Sequence, residues 1–311
     1  AANDIEFDTT VSVSDNNENK EEKILEYDAR TNQTREVDMD ELVQVILSKS
    51  DGQITSTSNI PNYSEPYTPE GISTVNPNIE TRGVWPDSAE QITSLMGSAP
   101  YNKMGRIECI DSTGAPVYGT AAWVGPRLVL TAAHCVFDTN DNKSVYRNWT
   151  MKTAFQNRNG IEIYVNSCGW DKVYYSSLWK DSSQKNDARY DWAICIVQDD
   201  SKVGWFGCQS YGSNSEMNNI PVTVIGYPGE VYYGFDDGCP LPYRTGEKIT
   251  RVDNYNIQYD AFTVDGFSGG PVMRDSDNYI VAVHSSGTKD RSAGVGVRIT
   301  QEMINIITAN S

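Results

Sequence analysis

The chain has 311 residues, 38% of them hydrophobic, and a net charge of −17 at pH 7. That length allows one large domain or two ordinary ones. The charge excludes nucleic acid and anionic membrane as partners, and no run approaches the roughly 20 apolar residues of a spanning helix.

Residues 1–22 are acidic and Asn-rich and are expected to be disordered. Ile24 to Asp38 reads as a small hairpin turning at Thr31-Asn32-Gln33. Asp38-Met39-Asp40-Glu41 has capping-box spacing. It opens an amphipathic stretch, Leu42-Val43-Gln44-Val45-Ile46-Leu47, that predicts a short helix. Residues 50–80 are rich in Ser, Thr, Asn and Pro and read as a linker. Of the 42 acidic residues 17 fall within 1–82, against 6 of the 25 basic ones, and this stretch holds no Trp, Cys or His. The shift places a boundary between 1–82 and 83–311. One hairpin and one helix bury too little to be stable alone, so this piece leans on the rest or is removed.

Beyond residue 83 the pattern turns to short strands bounded by Gly, Pro, Asn or Asp. Met104–Ile110, Gly119–Val124, Arg127–Thr131, Glu162–Val165, Trp192–Val197, Val222–Ile225, Ser268–Met273, Tyr279–Val283 and Val295–Ile299 are predicted. Many short strands indicate a sandwich or barrel. Thr300 caps a closing helix to Ala309, with Met303, Ile304 and Ile307 on one apolar face. The prediction is an all-β body with a C-terminal helix.

Six cysteines, all after residue 108, are scattered without a C-x-x-C pair. They read as disulfides in an oxidising compartment, with six reduced core thiols as the alternative. The N-terminus lacks the order of a signal peptide, so the chain is either cytosolic or already stripped of one. The cysteines favour the second.

There are only two histidines. His134 ends Leu128-Val129-Leu130-Thr131-Ala132-Ala133-His134-Cys135. His284 lies in Val281-Ala282-Val283-His284-Ser285-Ser286-Gly287. Between them stands Asp265-Gly266-Phe267-Ser268-Gly269-Gly270-Pro271. A hydroxyl becomes a nucleophile when a base takes its proton and an acid orients that base. Glycines around Ser268 permit a tight turn and a close substrate approach, and the amides of Gly266 and Ser268 are candidates to face an oxyanion.

Thr-Ala-Ala-His-Cys ahead of Gly-x-Ser-Gly-Gly-Pro resembles the chymotrypsin-like serine proteases. That resemblance implies two six-stranded antiparallel β-barrels and the chain order His, Asp, Ser. The acid is then Asp191, in Arg189-Tyr190-Asp191-Trp192-Ala193-Ile194; Asp171, Asp181, Asp187, Asp199 and Asp200 lack that context. Over residues 83–311 the chain is similar to the bacterial glutamyl endopeptidases, through Gln91-Ile92-Thr93, Gly226-Tyr227-Pro228-Gly229, Ala282-Val283-His284 and Gly296-Val297-Arg298-Ile299-Thr300.

This similarity implies a secreted, monomeric endopeptidase that cuts protein or peptide substrates after Glu, and less well after Asp. It also implies an acidic prosegment, 1–82, removed by a cut such as Arg82-Gly83, with a separate activating protease as one agent. Thr263 and His284 match the residues that hold the substrate carboxylate, both able to donate hydrogen bonds to it. Binding an anion favours a protonated imidazole. Ser285 and Gly287 offer backbone edge to the substrate strand.

Phe262 stands where trypsin-like members carry an Asp for basic side chains. Phe267 stands where animal zymogens carry the Asp that pairs with a new N-terminus. The cysteine that bacillar members have near Gly119 or Thr120 is absent, and Cys109 is the substitute partner for Cys135. Some relatives use calcium; Asp138-Thr139-Asn140-Asp141-Asn142 is a candidate loop, with a solvated turn as the alternative. A protease of other specificity and a catalytically silent binding module are the competing functions.

Overall fold

The computed structural model describes residues 20–75, 90–158, 160–228, 243–245, 248–261, 263–288 and 292–311. The expected disorder of the extreme N-terminus (but for residues 20–22), the Arg82-Gly83 cut, Cys239 and Phe262 lie outside the described residues.

Two sheets carry the chain. The first runs Ser167–Cys168, Arg147–Thr153, Met104–Ile110, Pro116–Gly125, Leu128–Thr131, Ala193–Val197, Trp170–Ser176, Ile24–Asp28, Gln33–Glu36, every pair antiparallel. The second runs Ile249–Val252, Asn256–Tyr259, Gly294–Arg298, Ile280–Gly287, Pro271–Arg274, Val222–Gly226, Tyr243–Thr245, Glu90–Gln91. The helix Gln301–Asn310 closes the chain, capped by the Thr300 hydroxyl as expected.

Leu128–Thr131 is buried along its whole length and reads as a continuous apolar run. Arg147–Thr153 escaped prediction because its polar residues mask the alternation, yet Trp149, Met151 and Thr153 all point inward. Trp170–Ser176, Ile249–Val252 and Asn256–Tyr259 were missed for the same reason. Glu162–Val165, expected as a strand, is one only in part and joins neither large sheet. Ile161–Ile163 pairs only with Gln156–Arg158, as a separate hairpin with Ile161 and Ile163 exposed.

The N-terminal segment is built into the body. Ile24–Asp28 pairs over five residues with Trp170–Ser176, and Gln33–Glu36 pairs with Ile24–Asp28. Asp38 caps the helix Met39–Lys49 through the amides of Asp40 and Glu41. That helix buries Leu42, Val43 and Ile46, and Lys49 donates to the carbonyls of Ala309 and Ser311 at the end of the closing helix. The stretch expected to be a linker also docks. Tyr63–Ser64 pairs with Cys208–Gln209, Tyr67 exchanges backbone bonds with Trp205, and Lys103 donates to both Thr68 and Trp205. A hairpin and helix too small to fold alone find their core on the rest of the molecule.

Among the described residues the expected disulfides are not found. Cys109, Cys135, Cys168, Cys195 and Cys208 are all buried free thiols. They occupy the core as small apolar groups, and burial raises the pKa of each. A Cβ on Gly119 would lie 2.9 Å from the Cys135 sulfur, so the place of a bridging partner is held by glycine. The Cys109 thiol faces the Val117 carbonyl instead.

Ile46 is fully buried, at 1% exposure, between the helix and the core. Ile46→Ala should lower unfolding stability by about 2–5 kcal/mol, read from the urea midpoint. A change below about 0.5 kcal/mol would mean that the segment does not pack as described.

Candidate active site

The short turn Ala133–Cys135 follows the buried strand Leu128–Thr131 and carries His134. Asp191 stands at the head of Ala193–Val197, the neighbouring strand. The His134 backbone N–H donates to Asp191 Oδ1 at 3.0 Å, and the ring Nδ1 meets Oδ2 at 2.6 Å. Asp191 is wholly buried. The Ser285 hydroxyl donates to the same Oδ2 at 2.5 Å, and the Asn186 amide at 3.0 Å.

Burial works against charge on both partners, and their mutual attraction outweighs it. Asp191 is desolvated, yet the His134 charge and hydrogen bond, with Ser285, hold its carboxyl below the usual value. His134 is likewise desolvated, yet Asp191 raises its pKa above 6.5. The carboxylate therefore keeps the proton on Nδ1 and leaves Nε2 free to act as a base.

Ser268 comes from the other sheet, on the turn before Pro271–Arg274, and is half-buried. Its carbonyl receives the Thr120 N–H at 2.9 Å. Among the described residues its hydroxyl makes no hydrogen bond, so the contact with His134 is not closed in this state; such bonds often tighten only with substrate bound. The turn admits only glycine at 269. Its φ is +82°, and a Cβ would fall 2.1 Å from Thr131 Oγ1 and 2.2 Å from the Thr120 carbonyl. The Thr120 hydroxyl donates to the Gly266 carbonyl at 2.8 Å, fixing the peptide plane there. Among the described residues the amides of Gly266 and Ser268 donate to nothing, which leaves them open to an oxyanion. Phe267 is fully buried, its ring 2.5 Å from where a Gly226 Cβ would be; aromatic packing occupies the place of an ion pair.

His284 lies on Ile280–Gly287, 2% exposed, and its Nδ1 meets the Tyr259 hydroxyl at 2.5 Å. Burial raises the Tyr259 pKa well above its ordinary value, so this hydroxyl keeps its proton. Among the described residues Nδ1 is its only acceptor. The proton of the neutral imidazole therefore sits on Nε2. Burial, then repulsion from His134, push the His284 pKa down to about 3. The ring is thus a neutral donor before any anion arrives. Thr263 lies beside Gly287 at the end of the same strand: a Cβ on Gly287 would lie 3.7 Å from the Thr263 hydroxyl.

Tyr259 and Asn186 were not singled out from sequence. Inward alternation on Asn256–Tyr259 was the available signal for the first; Asn186 sits in a polar loop and gives none. The candidate calcium loop is tied together by its own hydrogen bonds. The Asp138 carboxylate accepts from the Ser112 amide and hydroxyl and from the Asn140 amide, and no cluster of three or more metal-ligating side chains occurs among the described residues. No described helix is long and apolar enough to cross a membrane.

The trypsin-like peptidase domain family matches residues 119–283, just over half of the chain. The chain belongs to that family. It is 28% identical over 199 residues to the glutamyl endopeptidase of Bacillus licheniformis, covering 61% of this chain and 58% of that one. To the glutamyl endopeptidase of Staphylococcus aureus it is 30% identical over 99 residues, 32% of this chain and 26% of that one. It thus spans little more than half the length of the first relative and about a quarter of the second. Among solved structures, a Glu endopeptidase superposes with TM-score 0.59 at 19% identity, over 73% of this chain and 98% of the other. The Anisep protease of Arthrobacter nicotinovorans gives 0.52 at 19%, over 67% and 96%. The fold is therefore chymotrypsin-like, an all-β body with a C-terminal helix, as expected.

With two histidines, the electrostatics can be read directly. In an NMR titration one imidazole should titrate above pH 6.5 and the other should stay neutral down to about pH 3. A second midpoint near 6.5 would contradict the buried, Tyr259-bound state of His284.

Proposed function

We propose that the chain is a serine endopeptidase that cuts after Glu, and less well after Asp. The observation that carries this reading is the His134 ring held by the buried Asp191 and set against the Gly-rich turn of Ser268. Ser268 Oγ attacks the scissile carbonyl while His134 Nε2 takes its proton. The oxyanion is met by the amides of Gly266 and Ser268, each such donor lowering the barrier by about 2.7–4 kcal/mol in comparable sites. His134 returns the proton to the leaving amine. Water, activated in the same way, then releases the acyl group and restores Ser268.

For specificity, the Thr263 hydroxyl and the His284 Nε2–H would both donate to the substrate carboxylate. A neutral pocket with fixed donors binds an anion without a buried cation to leave exposed when it is empty. The backbone of Ser285 and Gly287 would pair with the substrate as an antiparallel strand. Similarity to glutamyl endopeptidases over 199 residues supports the same preference.

The reading extends to a precursor. Residues 1–82 would be severed from 83–311 at Arg82-Gly83, by a separate protease or by the enzyme itself at Glu80-Thr81. Secretion and a monomeric state come from the resemblance; free thiols lend secretion no support.

A mixed peptide library tests the reading. Cuts should cluster after Glu, and Ser268→Ala should lower turnover by on the order of 10⁴–10⁶-fold with the fold intact. His284→Ala should cut the preference for Glu over Gln by roughly tenfold or more, as expected for a charge-assisted bond. An unchanged ratio would discard the pocket, and activity surviving in Ser268→Ala would discard the triad. Tyr259→Phe frees the tautomer and should lower kcat/KM on Glu peptides by about fivefold, with Gln peptides less affected.

A further inference from the structure

We infer that Asn186 is a positioning residue for the reaction, holding the carboxylate of Asp191 through a side-chain amide whose orientation Trp179 dictates. The inference rests on the triad reading above and extends it.

An amide looks nearly the same from either end, so its role depends on which end faces the acid. Here the neighbour decides. Trp179 Nε1 lies 2.8 Å from Asn186 Oδ1. An indole nitrogen only donates, so the oxygen faces Trp179. The amino end must then face Asp191, where Nδ2 meets Oδ2 at 3.0 Å. Nδ2 is also 3.3 Å from His134 Nδ1. Both atoms carry protons when His134 is the base, so they do not bond to each other. They converge on Oδ2 with the Ser285 hydroxyl.

Trp179 is itself held firmly. It is fully buried on the helix Ser177–Asp181, and Lys143 donates to its carbonyl at 2.5 Å while lying over its ring. The loop that follows is braced by the Arg189 fork on Asp187 and by Ser182 on the same carboxylate. The chain Lys143, Trp179, Asn186, Asp191 thus runs from the surface to the triad acid.

The consequence is electrostatic. Each donor on Oδ2 draws charge from the carboxylate and weakens its hold on the imidazolium. Removing Asn186 leaves Asp191 more basic and His134 easier to protonate. Two further charges act on this pair, Asp265 on His134 and Lys143 on Asp191; His284, neutral down to about pH 3, adds none, and the substitution removes neither charge. The amide also stops the carboxylate from turning away, so without it the ring should lose its fixed aim.

The test uses the full chain. In a Ser268→Ala background, which prevents self-cleavage, the His134 imidazole is titrated by NMR with and without Asn186→Leu. His284, neutral down to low pH, does not interfere. The His134 midpoint should rise by about 0.5–1 pH unit, the equivalent of one lost hydrogen bond. With Ser268 present, kcat should fall about tenfold while KM on the same peptide changes by less than about twofold. Should Asn186→Leu not fold, Asn186→Ala and Trp179→Phe carry the test: the first should match it, and the second should move the midpoint the same way by less. A midpoint that stays put or falls in a folded variant overturns the inference, even if stability drops. A midpoint that rises in a chain that cuts no peptide counts against the endopeptidase reading and leaves Asn186 in its place.

Discussion

The carboxylate of Asp191 carries the arrangement. A wholly buried charge is costly unless hydrogen bonds and an opposite charge surround it. Among the described residues Asp191 has four donors: the backbone and ring of His134, Ser285 and Asn186. These come from three separate stretches of the chain, which the fold must bring to one point. The first sheet supplies His134 and Asp191 from neighbouring strands. Ile280–Gly287, in the second sheet, supplies Ser285 and in the same run His284. The acid thus ties the two halves together as well as holding the His134 ring.

A second constraint is steric. The Ser268 turn touches the first sheet backbone to backbone, through Thr120 and the place of the missing Gly269 side chain. The only residue that fits has no Cβ. Close approach and buried charge are therefore met at the same seam. The N-terminal segment lies on the far edges of the sheets, adding strands to the first and a helix against the closing helix. Among its described residues, 20–75, none hydrogen-bonds to His134, Asp191 or Ser268. Severing the chain between residues 76 and 89 would not by itself remove contacts such as Lys49 with Ala309 or Tyr67 with Trp205.

Much of this was legible in the sequence. His134, Asp191 and Ser268 sit in short local patterns, and the fold places the first two in contact. Leu128–Thr131 and the Asp38-capped helix were readable because local composition and burial agree. What escaped depends on tertiary context. Trp170–Ser176 is polar enough to pass for loop until its outer edge receives Ile24–Asp28. Asn186 gains its meaning from Trp179 and Asp191. The thiols show the opposite failure: scattered cysteines suggested bridges, and only burial reveals that they serve as small apolar side chains. The neutral state of His284 was hidden too, since full desolvation and the contact with Tyr259 belong to the fold.

The central claim is that His134, paired with the buried Asp191, makes Ser268 a nucleophile. The most direct measurement is covalent labelling with a fluorophosphonate, in which the serine oxygen bonds to phosphorus and fluoride leaves. Mass spectrometry should find one label, on Ser268, formed faster as pH rises through the His134 midpoint above 6.5 and lost in His134→Ala and Asp191→Asn. A label on another residue, or labelling of Ser268 unaffected by those changes, would contradict the account.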